Sequence, residues 1–401
     1  MIRRILLSLV CLVAVLVIIA ALIGWRNSIR LENNIKQIKA AGDPVTIPDL
    51  EQKDIAPTEN AAIYLGRIAA DTKKLYSEIQ PAVHIEGVTW KTGLTELQRE
   101  QVRLGFESYP QVLEMLEKGS RCTDHASPLE FNLPPTQFIE ANIQQVQHAR
   151  ECARILDCYS RYLVSCGEGD KAVEAGLRLL RLSRLQSQEP LLIGNLVHSA
   201  TEGIGIGALN GILRTSKLSP ESYVAIESEL AKHDPFESLV HALKTERAFS
   251  IDSMRSQFGG FFMSWFGVSF LDSMDNWISN AKRPIGELKS LEVSTEPFTA
   301  LVGPALNQAR EATNRVAANI RCLRILNAIL AKEATGNAVD INSLGLPQNV
   351  MIDPYNSKPL IILQTPEGWM IYSVGRNGLD DGGSLHNQAD TGLGPLERME
   401  N

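Results

Sequence analysis

The stretch Thr136–Gln188, TQFIEANIQQVQHARECARILDCYSRYLVSCGEGDKAVEAGLRLLRLSRLQSQ, decides the fold class. Phe138, Ala141, Gln145, Ala149, Cys152, Leu156, Tyr159, Leu163 and Cys166 step by three and four over about 30 residues, the period of a helix face that packs against something. Gly167-Glu168-Gly169-Asp170 then makes a turn, and Asp170 stands as N-cap to KAVEAGLRLLRLSRLQSQ. Two helices joined by so short a turn run antiparallel, so the chain is built around an αα-hairpin.

Helical signals continue on both sides. Upstream, Thr58 precedes the run 61–79, where Ala62, Leu65, Ala69 and Tyr76 recur at helical spacing. The segment Thr95–Lys118 carries Leu97, Val102, Phe106, Val112 and Leu116 as a core face, with Pro110 placed to kink or split it. Downstream, Pro190 opens LLIGNLVHSATEGIGIGALNGILRTS, whose Gly203, Gly205, Gly207 and Gly211 remove side-chain bulk for close helix packing. Pro220 and Asp234-Pro235 mark two further helix starts. His198 and His241 sit among apolar helical neighbours and read as core or boundary residues. The last helix is expected to start at Pro304 and to stop at Gly336. The run 162–184, with Tyr162, Gly167, Asp170, Ala172 and Ala175, resembles the second half of a tetratricopeptide-type repeat. It occurs once, with no second copy at the ~34-residue period of such an array, so a packed hairpin is expected rather than a solenoid.

Near the N-terminus, Ile5–Gly24 (ILLSLVCLVAVLVIIAALIG) is uncharged. At ~1.5 Å per residue, twenty residues match a ~30 Å hydrocarbon core. The run is longer than a cleaved signal's apolar region and ends in Trp25-Arg26, so it reads as an uncleaved anchor that contacts the lipid bilayer through residues 5–24. Basic residues lie on both sides, Arg3 and Arg4 before the run and Arg26, Arg30, Lys36 and Lys39 after it. The short basic N-terminus favours placing the body on the exported side. Pro44, Pro48 and Pro57 mark an extended linker before the body.

The 401 residues carry 39 Lys and Arg against 46 Asp and Glu, a net charge of −7, and this acidic balance excludes a general nucleic-acid footprint. Among the six cysteines, Cys152, Cys158 and Cys166 share one helix at separations too long for a disulfide. The cysteines outside the anchor read as buried free thiols, with Cys122–Cys322 as the one pairing to test. No HExxH, GxSxG, phosphate-loop or kinase signature occurs, so no catalytic residue is assigned and the chain reads as a non-enzyme.

Two segments depart from this pattern. Residues 249–270 hold six of the eleven phenylalanines, with Gly259-Gly260 and Trp265. The segment is too short and too broken to span a bilayer, and it reads as core or as a protein or membrane-surface contact. Beyond the last helix the period changes. Asp353-Pro354-Tyr355 makes a turn, KPLIILQT and WMIYSVG read as a β-hairpin, and an acidic glycine-rich loop follows. Its Asn377, Asp380, Asp381 and Asp390 could supply oxygens to a metal ion, calcium by type. The same residues also suit a solvated turn.

Asp353, Pro354, Tyr355, Pro359, Tyr372, Ser373, Gly375, Gly378, Asp381, Gly382, Gly383 and Asp390 stand in an order that resembles the C-terminal region of type II secretion major pseudopilins. The likeness covers residues 318–392, and it implies a calcium-binding loop. The whole chain resembles uncharacterised bacterial membrane-anchored helical proteins carrying such a tail.

The expected fold is mainly α, with an N-terminal transmembrane helix, a multi-helix αα-hairpin body and a small C-terminal β-hairpin module. The expected segments are an anchor at 1–26, a juxtamembrane helix and linker at 27–57, a helical body at 58–298, and a long helix with the pseudopilin-like tail at 299–401. The expected function is that of a single-pass membrane-anchored envelope protein whose body interacts or scaffolds, its protein partner meeting the helical body or 249–270. A pseudopilin-related component and an unrecognised hydrolase are the alternatives.

Overall fold

The computed structural model describes residues 2–52, 55–84, 88–284, 297–336, 338–385 and 389–396, with residues 2–10, 257–262, 264 and 297–301 described by backbone alone. The molecule is mainly helical, with eleven α-helices and one small three-stranded antiparallel sheet among the described residues. The helices are α1 (Ile2–Ala40), α2 (Ala61–Gly66), α3 (Ala69–Val83), α4 (Glu96–Ser108), α5 (Pro110–Ser120), α6 (Pro135–Ser165), α7 (Gly169–Gln186), α8 (Leu191–Thr215), α9 (Pro220–Leu230), α10 (Pro235–Asn280) and α11 (Pro297–Ala334). The strands are β1 (Ile361–Thr365), β2 (Gly368–Ser373) and β3 (Thr391–Leu393), in the order β1-β2-β3.

Helices α6, α7 and α8 pack on one another, α11 lies across α8 and α9, and the sheet rests on α11. Glycines set how closely α7 and α8 approach. A methyl group at Gly176 would come within 2.8 Å of Leu209, and one at Gly205 within 2.6 Å of Leu180. The α6–α7 turn forms at Gly167 (φ +77°), but α7 already starts at Gly169. Asp170 therefore lies in the first helical turn. Its carboxylate accepts hydrogen bonds from Ser219 N, Ser219 Oγ and Ser222 Oγ at 2.9, 3.1 and 2.7 Å, which ties α9 to the hairpin.

Several boundaries differ from the periodic reading. Asn60 rather than Thr58 caps the first body helix, its Oδ1 accepting from Ala62 N at 3.0 Å. The run 61–79 breaks at Arg67-Ile68 into α2 and α3, and Pro110 splits α4 from α5 by taking the first helical position, where a missing N–H costs nothing. Helix α11 begins at Pro297 and carries Pro304 inside it. All six cysteines are free, with Cys122 beside the α2–α5 core and Cys322 inside the α7–α8–α11 core.

The chain reverses direction within α10. Arg247 and Asp275 would be about 42 Å apart along a straight helix, yet Arg247 Nη1 meets Asp275 Oδ1 at 2.6 Å, and Glu237 pairs with Lys282. The two arms run antiparallel, and Met254 and Met263 are buried in one apolar cluster. The pairs Arg247–Asp275 and Glu237–Lys282 are both centred close to Gly259-Gly260, which places the reversal there.

Helix α1 is apolar enough along Cys11–Ala40 to be a candidate membrane span. Its described residues up to Ile23 are exposed, Ala20 apart, with Leu12, Val17 and Leu22 at 56, 61 and 58%. Gly24 is buried, and from Leu31 onward the helix joins the body. Leu31 and Ile38 pack into the α10 core, Arg30 Nη2 meets Asp272 at 2.9 Å, and Asp43 pairs with Lys244 and Arg247 at 2.7 and 2.8 Å.

Candidate functional site

Two sequence pairs are each spaced four residues apart: His198 with Glu202, which share a face of α8, and Glu229 near the end of α9 with His233 in the turn that follows it. The fold brings the pairs together. His198 Nε2 lies 3.3 Å from Glu202 Oε2, His233 Nδ1 meets Glu202 Oε1, and His233 Nε2 lies 3.6 Å from Glu229 Oε1. Arg184 Nε donates to Glu229 Oε1 at 3.1 Å, with Arg181 and Lys232 at 3.5 and 3.3 Å from the other oxygen. The result is an alternating chain of acid and base. The four side chains at its centre are at most 3% exposed, and the chain lies beside a cleft of about 650 Å³ lined also by Gln188, Asp234, Glu237 and His241.

Burial and pairing push these groups apart. Burial alone would depress His233, but Glu202 and Glu229 outweigh it and lift the imidazole to about 9. Burial would raise Glu229, but His233, Arg184 and Lys232 bring it down to about 2. Glu202 is likewise held below the usual carboxylate range, by the charges of His198 and His233 against its own burial. His198 goes the other way. Burial drives it down, the positive charge of His233 adds to that, and Glu202 only partly opposes. His198 Nδ1 donates to Ser183 O at 2.8 Å, and its Nε2 faces Glu202 Oε2 at 3.3 Å.

Next to it, His125 Nε2 lies 2.9 Å from Glu189 Oε1, both side chains being 5–6% exposed, and the Ser127 hydroxyl donates to the same carboxylate oxygen. Ser127 is 3.5 Å from the imidazole, so its proton points to the acid and the serine is not activated in the manner of a nucleophile. These residues and His148 border a void of about 20 Å³ that also reaches His198, room for about one water molecule.

The residues proposed for a metal lie in the tail. Asp390 is 1% exposed, and its carboxylate accepts from Gly383 N and Ser384 N at 2.8 and 3.0 Å, with Asp381 N at 3.4 Å. Asp380 Oδ1 accepts from Tyr372 Oη and Gly382 N, while Asn377 Nδ2 donates to Asp381 Oδ2 at 2.6 Å. The four residues share one loop, and most of their bonds order its backbone. Among the described residues, no group of three or more His, Cys, Asp or Glu side chains is placed to hold a metal ion.

The DPY turn has its own structural explanation. Asp353, 2% exposed, accepts from Tyr355 N, Ser373 Oγ and Val374 N at 2.8, 2.8 and 3.1 Å, so one carboxylate locks the turn to the end of β2. Of the aromatic segment 249–270, the side chains of Phe258, Phe261 and Phe262 lie outside the described ones. Phe249 packs near Phe138 with ring centroids 6.3 Å apart, and Phe270 is 1% exposed.

Comparison with known protein families, curated proteins and solved structures finds no match for this chain. Any functional reading therefore rests on the residues themselves. The HxxxE and ExxxH spacings were visible in the sequence, HSATE at 198–202 and ELAKH at 229–233. That they face one another depends on how α8 and α9 pack.

Proposed function

We propose that this chain is a single-pass membrane protein in which α1 anchors a helical body, displayed on the exported side, that works by binding or scaffolding a protein partner. The observation that carries the reading is the change along α1, from the largely exposed apolar stretch 11–23 to Leu31 and Ile38, which are buried in the α10 core. An exposed apolar stretch of that length is expensive in water and at home in lipid. Its unbroken continuation into the α10 core would hold the body at a set distance from the bilayer. The test is membrane fractionation with alkaline wash, followed by protease added to sealed cells or spheroplasts. The protein should stay with the membrane and lose its body to external protease. A body digested only after lysis would reverse the orientation.

A second reading, acid–base hydrolysis at the cleft, is favoured by one observation: two His–Glu pairs whose protonation is driven in opposite directions stand beside an open cavity. Hydrolysis of ester or phosphoester probes by the purified full chain, abolished by His198→Ala with the fold intact, would move the assignment to an enzyme. A role in secretion, raised by the order of residues in the tail, would need co-purification with a secretion apparatus.

A further inference from the structure

The reversal of α10 has a fixed level relative to the anchor. Leu31 of α1 lies against Gly267 on the second arm. Further along both elements, Asp43 shares Arg247 with Asp275. Helix α1 and the second arm therefore run parallel, and moving toward the N-terminus on one means moving toward Gly259-Gly260 on the other. From Leu31 to Gly24 is seven residues, about 10 Å of rise, and from Gly267 to Gly260 is the same seven residues and about 10 Å. By the Leu31–Gly267 contact, the apex stands level with Gly24, the last residue of the apolar run.

The composition there suits that level. Phe258, Phe261, Phe262, Trp265 and Phe266 flank the glycine pair in sequence, the apolar aromatic content of helices that lie in the membrane interface. On α1, Trp25 is 67% exposed. Arg26 and Arg255, both exposed, lie within about 8 Å of the same level by helical rise, positioned for lipid phosphates.

We propose that the apex of the α10 hairpin, centred on Gly259-Gly260, sits in the interfacial layer of the bilayer that α1 crosses. It forms a second membrane contact that stops the body from swinging about its anchor. The proposal rests on the anchoring reading above and adds to it a surface and an orientation. The occupant is the lipid interface itself, since the apex and the end of the apolar run share one height.

The test uses the full chain with Cys11, Cys122 and Cys166 replaced by Ser, reconstituted into vesicles of phosphatidylcholine with a minority of phosphatidylglycerol. A Gly260→Cys variant carries an environment-sensitive fluorophore at the apex, and Lys282→Cys carries it at the far end of the same hairpin, about 33 Å away by rise. Nitroxide lipids that probe ~5–10 Å below the surface should quench the label at 260 at least about twofold and leave that at 282 unchanged. Where Gly260→Cys loses helical circular dichroism, Ser256→Cys, exposed and one turn away, takes its place. A protein that survives alkaline washing of the vesicles with neither label quenched, or with both quenched equally, overturns the apex contact and leaves the anchor standing. A protein removed by the wash overturns the anchoring reading instead.

Discussion

Replacing His233 by glutamine should abolish most of the alkaline dependence of this protein's stability. The imidazole has no exposed side-chain surface and lies between Glu202 and Glu229. Burial would lower its pKa, but the two carboxylates bring it to about 9 from an ordinary 6.5. Because the folded value lies above the unfolded one, the stabilisation is complete below pH ~6.5 and is lost as the pH rises through ~9. A rise of about 2.5 in pKa at 1.36 kcal/mol per unit makes this on the order of 3 kcal/mol. Urea unfolding of the full chain in detergent, followed by tryptophan fluorescence from pH 6 to pH 10, measures it. The wild type should lose about 3 kcal/mol across that range, while His233→Gln should begin lower by a similar amount and stay nearly level. A flat wild-type profile, or the same slope in the variant, would show that His233 is not the group being titrated.

Three further outcomes follow from separate parts of the fold. Asp353→Ala strands three donors around a buried carboxylate position and should cost about 3–5 kcal/mol, read as early proteolysis of the C-terminal sheet while the helical body persists. The glycines of α8 should divide. A methyl group at Gly211 would fall 2.2 Å from the Trp90 ring, whereas Gly203 has nothing within 4 Å. Gly211→Ala should therefore destabilise by about 1–3 kcal/mol, and Gly203→Ala should stabilise by about 0.5–1 kcal/mol, in the same urea assay. Burial drives the thiols of Cys152, Cys158 and Cys322 far above their usual range. Alkylation of the native protein followed by mass spectrometry should thus modify exposed Cys166 and partly exposed Cys122 and spare those three until urea is added.

What could be read in advance follows the range of the interactions. The α6–α7 hairpin was legible because both partners are adjacent in sequence and their apolar spacing and turn glycines agree. The anchor was legible because twenty uncharged residues need no partner to be interpreted. Asp170 has the sequence position of a cap, yet its Oδ1 accepts from Ser219 and Ser222 at the start of α9, a tie visible only once α9 is in place. The glycine pair at 259–260 signalled an interruption in α10. The full reversal, however, is defined by Arg247 meeting Asp275 across the hairpin. Strand β3 has three residues, too few for an alternating pattern, and it exists because Gly392 lets its backbone lie against Ile371 and Tyr372. The His–Glu chain was half legible: each pair shows its one-turn spacing, but the meeting of Glu202 with His233 belongs to tertiary packing.

The account depends most on α1 remaining part of the mature chain. Intact-mass analysis of the protein recovered from alkaline-washed membranes measures this directly. A pellet-bound species that retains residues 1–24 is predicted. A soluble species that begins after Trp25 would contradict it, because the surface at Gly24 and Leu31 would then no longer continue into a lipid-embedded helix.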